Sequence, residues 1–197
     1  MDIFLMIDVS GSMSGHKISA VTDALDYMKE ALLDYRYDNG PVRICTELFS
    51  REVRWYPEQL IPIDKFQWEE PFCTGMTSLG KACTSLAEVL RNNQLSASVK
   101  IILISDGCPT DDYEEGLRKL YELIVFGNSD RFAIGLGEEA DLAVLADFTD
   151  DNDKVYRVTD LDKLLDCLTK AVIDTPKIEE PIDPHSASDK PEPDEWE

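Results

Sequence analysis

Three side chains with oxygen donors follow the first apolar segment of the chain at alternate positions. Residues 3–7 are all apolar and lead directly into Asp8-Val-Ser10-Gly-Ser12. In a turn that leaves a strand, alternate residues can point the same way, so Asp8, Ser10 and Ser12 can offer their oxygens to one point. Carboxylate and hydroxyl oxygens suit Mg²⁺ or Mn²⁺ better than Zn²⁺. The sequence therefore indicates part of a divalent-metal site at the end of a buried β-strand.

A second aspartate, Asp106, has a similar setting, because it follows the apolar run at residues 99–104 and precedes a glycine. Binding sites of parallel sheets form at the carboxyl ends of the strands, so we expect Asp8 and Asp106 to lie close together. Two ionised carboxylates repel each other unless a cation neutralises them. Lys17 is the nearest basic residue and lies several residues on, so a divalent cation is the expected counter-charge.

A third loop, Thr74-Gly-Met-Thr77-Ser, precedes a predicted helix and supplies Thr77 as a further candidate ligand. Simpler interpretations stay open at this point. Thr77 could cap the following helix, Ser10 and Ser12 could cap the helix that starts near Lys17, and Asp8 could be a buried hydrogen-bond acceptor.

Composition excludes several classes of function. The 197 residues carry 19 basic and 40 acidic side chains, a formal net charge of -21. Such a chain repels phosphate backbones and anionic membrane surfaces, so we expect no nucleic-acid or membrane partner. The five cysteines form no CxxC pair, which favours reduced thiols. No leader or membrane-spanning segment is evident, and a cytoplasmic location is expected.

Strands alternate with helices along the chain, which predicts an α/β domain with a mostly parallel sheet and helices on both faces. Residues 42–49 and 52–56 read as a hairpin, residues 57–74 as an irregular loop, and residues from Asp111 to about Phe126 as one helix that begins with an Asp111–Glu114 box. The domain is expected to span residues 1–173. Residues 174–197 are rich in Pro, Asp, Glu and Ser, which predicts a disordered acidic tail.

Together these residues resemble the von Willebrand factor A (vWA) domain and its metal-ion-dependent adhesion site (MIDAS). The match consists of Asp8-x-Ser10-x-Ser12, Thr77 in Gly-Met-Thr-Ser-Leu-Gly, and Asp106 in Ile-Ser-Asp-Gly. The resemblance implies a three-layer, Rossmann-like fold with one antiparallel edge strand. It also implies that all five side chains hold Mg²⁺, or Mn²⁺ or Ca²⁺, directly or through water.

Within that family the chain is most similar to the bacterial TerY-like proteins, which resemble it in size and in Ile134-Gly-Leu-Gly. Those proteins are associated with tellurite resistance and stress response, often beside a protein kinase and a metal-dependent phosphatase. The resemblance therefore implies that a kinase or a phosphatase is a candidate partner.

Two functions follow from these observations. The first is a binding module without enzyme activity, in which the metal captures an Asp or Glu carboxylate of a partner protein and aromatic residues such as Trp68 and Phe72 rim the interface. The alternative is a magnesium-dependent phosphohydrolase of the haloacid-dehalogenase type. Those enzymes use a second aspartate two residues after the first as general acid, but here that position is Ser10, which has no suitably acidic proton.

Overall fold

A seven-stranded sheet forms the centre of the computed structural model, which describes residues 1–173. The acidic tail predicted at residues 174–197 lies outside the described residues. The strands are β1 (Asp2–Asp8), β2 (Arg43–Phe49), β3 (Val53–Trp55), β4 (Ile61–Pro62), β5 (Val99–Ser105), β6 (Asp130–Leu136) and β7 (Val155–Val158). Their order is β3-β2-β1-β5-β6-β7, and β4 also pairs with β2.

Helices cover both faces of the sheet. They are α1 (His16–Asn39), α2 (Leu79–Asn92), α3 (Tyr113–Tyr121), α4 (Ile124–Gly127), α5 (Leu142–Thr149) and α6 (Leu164–Ile173). The buried apolar faces of α1 and α6 share one core cluster with the sheet, and those of α2 to α5 contribute to a second cluster. The predicted three-layer α/β fold is therefore confirmed.

Pairing within the sheet is parallel between β1, β2, β5, β6 and β7. The predicted antiparallel edge is confirmed, since β3 pairs with the end of β2, and β4 pairs antiparallel with its start. β1 lies between β2 and β5 and is buried along its whole length, as is β5. The strand order reverses at β1, so the loops after β1 and β5 border the crevice in which sheets of this kind bind ligands.

Two predicted elements differ from the structure. The loop at residues 57–74 contains β4 and a 3₁₀ turn at Ile63–Lys65. The single helix predicted up to about Phe126 is broken at Leu123, whose backbone is extended, so that α3 and α4 are separate. In one continuous helix Leu120 and Phe126 would lie on different faces. The break lets both side chains enter the same core cluster, where both are fully buried.

Candidate metal centre

Three loops meet at the carboxyl end of β1 and are joined by main-chain hydrogen bonds. The amide of Gly11 donates to the carbonyl of Gly75 at 3.0 Å, and the amide of Thr74 donates to that of Val9 at 2.9 Å. The loop after β5 is tied to the same place, because Thr110 donates its amide to the carbonyl of Thr77 at 2.8 Å. The positions of the candidate ligands are therefore set by backbone contacts.

Four of the five predicted ligands form one continuous hydrogen-bonded cluster. The hydroxyl oxygens of Ser10 and Ser12 lie 3.1 Å apart, and the Ser12 hydroxyl donates to Oδ1 of Asp106 at 2.7 Å. Oδ1 of Asp8 accepts from the amide of Ser10 at 2.8 Å. The cluster brings together two carboxylates and two hydroxyls from loops that are 94 residues apart in the sequence.

Thr77 lies beside this cluster without a hydrogen bond to it. Its hydroxyl oxygen is 3.3 Å from the point that a Cβ on Gly107 would occupy, next to Asp106. The Thr77 side chain is buried. Gly75, two residues earlier, has a φ of 86°, a backbone angle that residues with a side chain rarely adopt. Gly75 therefore provides the backbone turn that leads to Thr77.

Ser105, the residue before Asp106, contacts the site although it was not predicted as a site residue. Its hydroxyl donates to Oδ2 of Asp8 at 2.7 Å. Burial raises the pKa of the Asp8 carboxyl, and the negative charge of Asp106 raises it further, whereas hydrogen bonds from Ser105 and Ser10 lower it. Hydrogen bonds thus offset part of the effect of burial on Asp8, and within residues 1–173 no Lys or Arg forms an ion pair with this carboxylate.

The expectation that no basic side chain lies near the two carboxylates was wrong. The ammonium group of Lys17 forms an ion pair with Oδ2 of Asp106, whose side chain is buried. Lys17 is nine residues beyond Asp8 in the sequence, but it lies in the first turn of α1, which begins at His16 beside the same loop. The structure therefore places one cation in direct contact with the cluster.

Helix capping does not account for the candidate hydroxyls. The N-cap of α1 is Gly15, and that of α2 is Ser78; neither makes a side-chain cap. The start of α2 is capped from another loop, since the Asp111 carboxylate accepts from the amides of Gly80 and Lys81, both at 2.9 Å. Ser10, Ser12 and Thr77 are thus available for another role.

The predicted helix box at Asp111 is displaced by one residue. Asp112 is the N-cap of α3 and accepts from the amide of Glu115 at 3.1 Å. Asp111 is free to cap α2 for this reason, and it couples the loop after β5 to the helix that follows Thr77.

The donor set fits a hard divalent cation. Within residues 1–173 no group of three or more His, Cys, Asp or Glu side chains is arranged to hold a metal. A metal here would depend on hydroxyls as well as on Asp8 and Asp106, and all of these are oxygen donors of the kind that Mg²⁺, Mn²⁺ and Ca²⁺ prefer. The Lys17 ammonium on Asp106 acts as a stand-in for such a cation.

The two aromatic residues predicted at the rim differ in their environment. Trp68 packs against the core, and its indole donates to the hydroxyl of Thr22 at 3.0 Å. Phe72 is 82% exposed. Of the two, Phe72 is therefore the one that is exposed to a partner near the site.

Two further features concern the thiols and the helices of the described residues. All five cysteines are unpaired, and Cys45, Cys73 and Cys83 are buried. No helix within the described part of the chain combines the length and the apolar composition needed to cross a membrane.

Comparison with solved structures gives several matches with the same fold. A von Willebrand factor type A protein from Catenulispora acidiphila is 19% identical (TM-score 0.67) over 86% of this chain and 42% of its own. The ArnB paralog VWA2 from Sulfolobus acidocaldarius is 26% identical (TM-score 0.66) over 86% and 44%. Proximal thread matrix protein 1 from the mussel byssus, with a zinc-occupied MIDAS motif, is 17% identical (TM-score 0.62) over 86% and 44%. The chain spans less than half the length of each of these proteins.

A comparison with curated protein sequences gave no match. The von Willebrand factor type A domain, whose members are metal-binding protein-interaction modules, matches residues 2–170, which is nearly the whole described part of the chain. The chain therefore belongs to the von Willebrand factor type A domain family.

Proposed function

We propose that residues 1–173 form a protein-binding module in which a divalent cation captures a carboxylate of a partner protein. Asp8, Ser10, Ser12, Thr77 and Asp106 would hold the cation. The observation that carries the proposal is the hydrogen-bonded cluster of two carboxylates and two hydroxyls at the carboxyl ends of β1 and β5. Once bound, the cation supplies an electrophilic position that an outside carboxylate can fill.

The number of carboxylates supports a role in capture. Two negative charges, from Asp8 and Asp106, balance a divalent cation once the Lys17 ammonium has moved away from Asp106, while the serine and threonine hydroxyls are neutral. A cation in such a site keeps an affinity for one more anionic oxygen. The exposed Ser12 lies on the solvent side of the cluster, whereas Asp8 and Ser10 are buried beneath it. A partner would therefore approach from the side of Ser12.

Oxygen donors favour Mg²⁺, Mn²⁺ or Ca²⁺, and we propose Mg²⁺ as the resident ion. The zinc-occupied MIDAS of the mussel protein supports the use of the corresponding site for a divalent cation. A comparison of Mg²⁺, Mn²⁺, Ca²⁺ and Zn²⁺ affinities in one titration would rank the ions.

The cellular setting is proposed from sequence resemblance. The TerY-like features, namely size and Ile134-Gly-Leu-Gly, support a place in a bacterial stress-response complex with a kinase or a metal-dependent phosphatase as partner. The five unpaired cysteines support a reducing location such as the cytoplasm.

The binding of a fluorescent peptide with a single Glu tests the proposal. Anisotropy is measured with 5 mM Mg²⁺ (about the amount that fills a weak site) and then with excess EDTA. We expect binding that EDTA abolishes and that Asp106→Ala and Ser12→Ala remove or strongly weaken. Ser19→Ala, which removes a hydroxyl of α1 that takes no part in the hydrogen bonds of the cluster, should bind as the wild type does. Equal binding by Asp106→Ala in EDTA would overturn metal-mediated capture.

A phosphatase screen with the same proteins separates this function from the phosphohydrolase alternative. A binding module gives no hydrolysis of a phosphomonoester that depends on both Mg²⁺ and Asp8. Hydrolysis that Asp8→Asn abolishes would contradict the proposal.

A further inference from the structure

A groove of about 500 Å³ adjoins the metal loops. Val9 and Leu48 contribute apolar surface to it, Gly75 and Phe72 lie at the loop side, and Arg51 and Arg54 line the side formed by the β2–β3 hairpin. The groove is lined by residues of the same loops as the candidate site, because Val9 lies between Asp8 and Ser10 and the Gly75 carbonyl accepts from the amide of Gly11. A segment bound at the cation would therefore pass directly into this groove.

The two arginines of the groove differ from all other arginines of the described residues. Each of the others places its guanidinium against a carboxylate or a main-chain carbonyl, namely Arg36, Arg43, Arg91, Arg118, Arg131 and Arg157. Within residues 1–173 the guanidinium groups of Arg51 and Arg54 have no such acceptor, and both residues are exposed. In a chain with 40 acidic side chains, two unpaired arginines that line the same groove are available for an external anion.

The backbone beneath Arg51 is held in place. The Arg51 carbonyl accepts from the ammonium of Lys81 at 3.2 Å, and the neighbouring Ser50 carbonyl accepts from the amide of Ser78 at 3.0 Å. A Cβ on Gly75 would lie 3.5 Å from the Arg51 Cβ, so the hairpin and the Gly75 loop are in contact. Arg51 thus projects from a backbone fixed to the same loop that carries Thr77.

We infer that the groove binds the second carboxylate of an extended acidic segment of a partner protein, whose first carboxylate is captured at the cation. This inference rests on the proposed function. Arg51 and Arg54 bind the second carboxylate, since guanidinium groups match carboxylates in geometry and charge. The apolar floor and the exposed Phe72 contact the chain between the two acidic residues. Glu52 also lines the groove, so the three charged side chains there sum to one positive charge, which favours a single anionic side chain of the partner.

Short fluorescent peptides test the inference on the full chain with Mg²⁺. One peptide carries a single Glu, three others carry a second Glu two, three or four positions away, and a matched set replaces that second Glu with Gln. We expect at least one diacidic peptide to bind about tenfold more tightly than its Gln counterpart, the gain typical of a charge-assisted contact. In the Arg51→Gln/Arg54→Gln variant this gain disappears, while binding of the single-Glu peptide is unchanged.

A charge-matched control separates a local contact from the field of the whole molecule. Lys29→Gln/Lys65→Gln removes the same two charges from residues that do not line the groove, and it should keep the tenfold gain. An equal loss in both double variants, or a gain that survives Arg51→Gln/Arg54→Gln, would overturn the inference. If single-Glu binding persists in EDTA, the proposed function fails as well; if it needs Mg²⁺ but the second Glu adds nothing, only this inference fails.

Other occupants of the groove give different results. One alternative occupant is the acidic segment 192–197 of this chain. In that case the triple variant Glu192→Gln/Asp194→Asn/Glu195→Gln binds the diacidic peptide more tightly than the wild type does. The same triple change has no effect in the Arg51→Gln/Arg54→Gln background. If a second copy fills the groove, the protein forms a dimer that Arg51→Gln/Arg54→Gln dissociates in light-scattering measurements. Either result would overturn a partner protein as the occupant.

Discussion

At the scale of single residues, Asp106 has two partners that would compete with a cation in different ways. Ser12 donates a hydrogen bond to Oδ1 and is itself a candidate ligand. A metal that binds both oxygens can therefore replace this hydrogen bond. Lys17 occupies Oδ2 with a full positive charge. The ammonium would repel a divalent ion beside Asp106. Unless the Lys17 side chain moves away, it weakens the binding of the ion.

Removal of the Lys17 charge should therefore tighten metal binding. We expect Lys17→Gln to lower the Kd for Mg²⁺ about fivefold, which corresponds to about 1 kcal/mol for a partly exposed ion pair. Isothermal titration calorimetry measures this change. Lys29→Gln, which removes the same charge from the same helix α1, should leave the Kd within about twofold. Weaker binding by Lys17→Gln would show instead that the ammonium helps to hold Asp106 in place for the metal.

Glu47 is a second residue with an unusual environment. It lies fully buried in β2, faces the core beneath α2, and neither carboxylate oxygen has a well-formed hydrogen bond within the described residues. Burial raises the pKa of Glu47 well above its ordinary 4.5, and the neighbouring Ser85 hydroxyl lowers it only in part. That hydroxyl already accepts a hydrogen bond from the Trp55 indole at 2.9 Å.

The raised pKa of Glu47 makes the stability depend on pH. Above the ordinary pKa of 4.5 the unfolded chain loses the proton that the folded chain keeps, so the free energy of unfolding falls as the pH rises toward the raised value. Glu47→Gln should remove this fall and raise the stability at pH 8 by about 1–3 kcal/mol. Urea unfolding of both proteins between pH 5 and pH 8 measures the free energy of unfolding and its dependence on pH. Glu30→Gln on the exposed side of α1 is the control, and lower stability of Glu47→Gln at pH 8 would contradict the explanation.

At the scale of elements, α2 and α3 approach each other through two glycines. A Cβ on Gly116 would lie 2.2 Å from the carbonyl oxygen of Gly80, and a Cβ on Gly80 would lie 2.2 Å from that of Asp112. Main-chain atoms cannot give way as flexible side chains can, so both positions need glycine. The contact also brings Asp111 to the start of α2, next to the loop with Thr77.

Substitution of Gly116 should separate the two helices. We expect Gly116→Ala to lower the free energy of unfolding by about 2–4 kcal/mol, the cost of forcing apart a close-packed contact, despite the better helix propensity of alanine. Chemical denaturation measures the loss. Gly127→Ala in α4, where a Cβ would meet no atom within 4 Å, should change the stability little. An equal effect of both substitutions would count against the close approach as the cause.

Elements with a local signal could be predicted from the sequence, and those set by distant contacts could not. The sequence alone indicates burial for the apolar runs of β1 and β5 and for the apolar stripe of α1, namely Ile18, Val21, Leu25, Met28 and Leu32. All of these residues are buried. The break between α3 and α4, the capping of α2 by Asp111 and the ion pair of Lys17 with Asp106 each depend on a partner many residues away. No pattern within a short window marks such partners.

At the scale of the whole molecule, the net charge of -21 means that any cation stabilises the folded protein to some degree, because it screens the repulsion between acidic side chains. Specific binding at the candidate site must therefore be separated from general screening. We expect saturating Mg²⁺ to raise the Tm by about 5–10 °C, because a ligand at 100 times its Kd adds about 2.7 kcal/mol. NaCl at equal ionic strength should give a smaller rise, and Asp106→Ala should lose the difference between the two salts. A Tm that responds only to ionic strength would contradict a specific site.

Electron paramagnetic resonance of Mn²⁺ tests the metal site most directly, because free and bound ions give distinct signals. The proposed centre predicts a single bound Mn²⁺ per chain that Mg²⁺ displaces and that Asp8→Ala and Asp106→Ala no longer hold. Water-proton relaxation should show water on the bound ion, and less of it once the single-Glu peptide is added. Wild-type protein that binds no Mn²⁺, or an Asp106→Ala variant that binds it equally well, would contradict the proposed adhesion site.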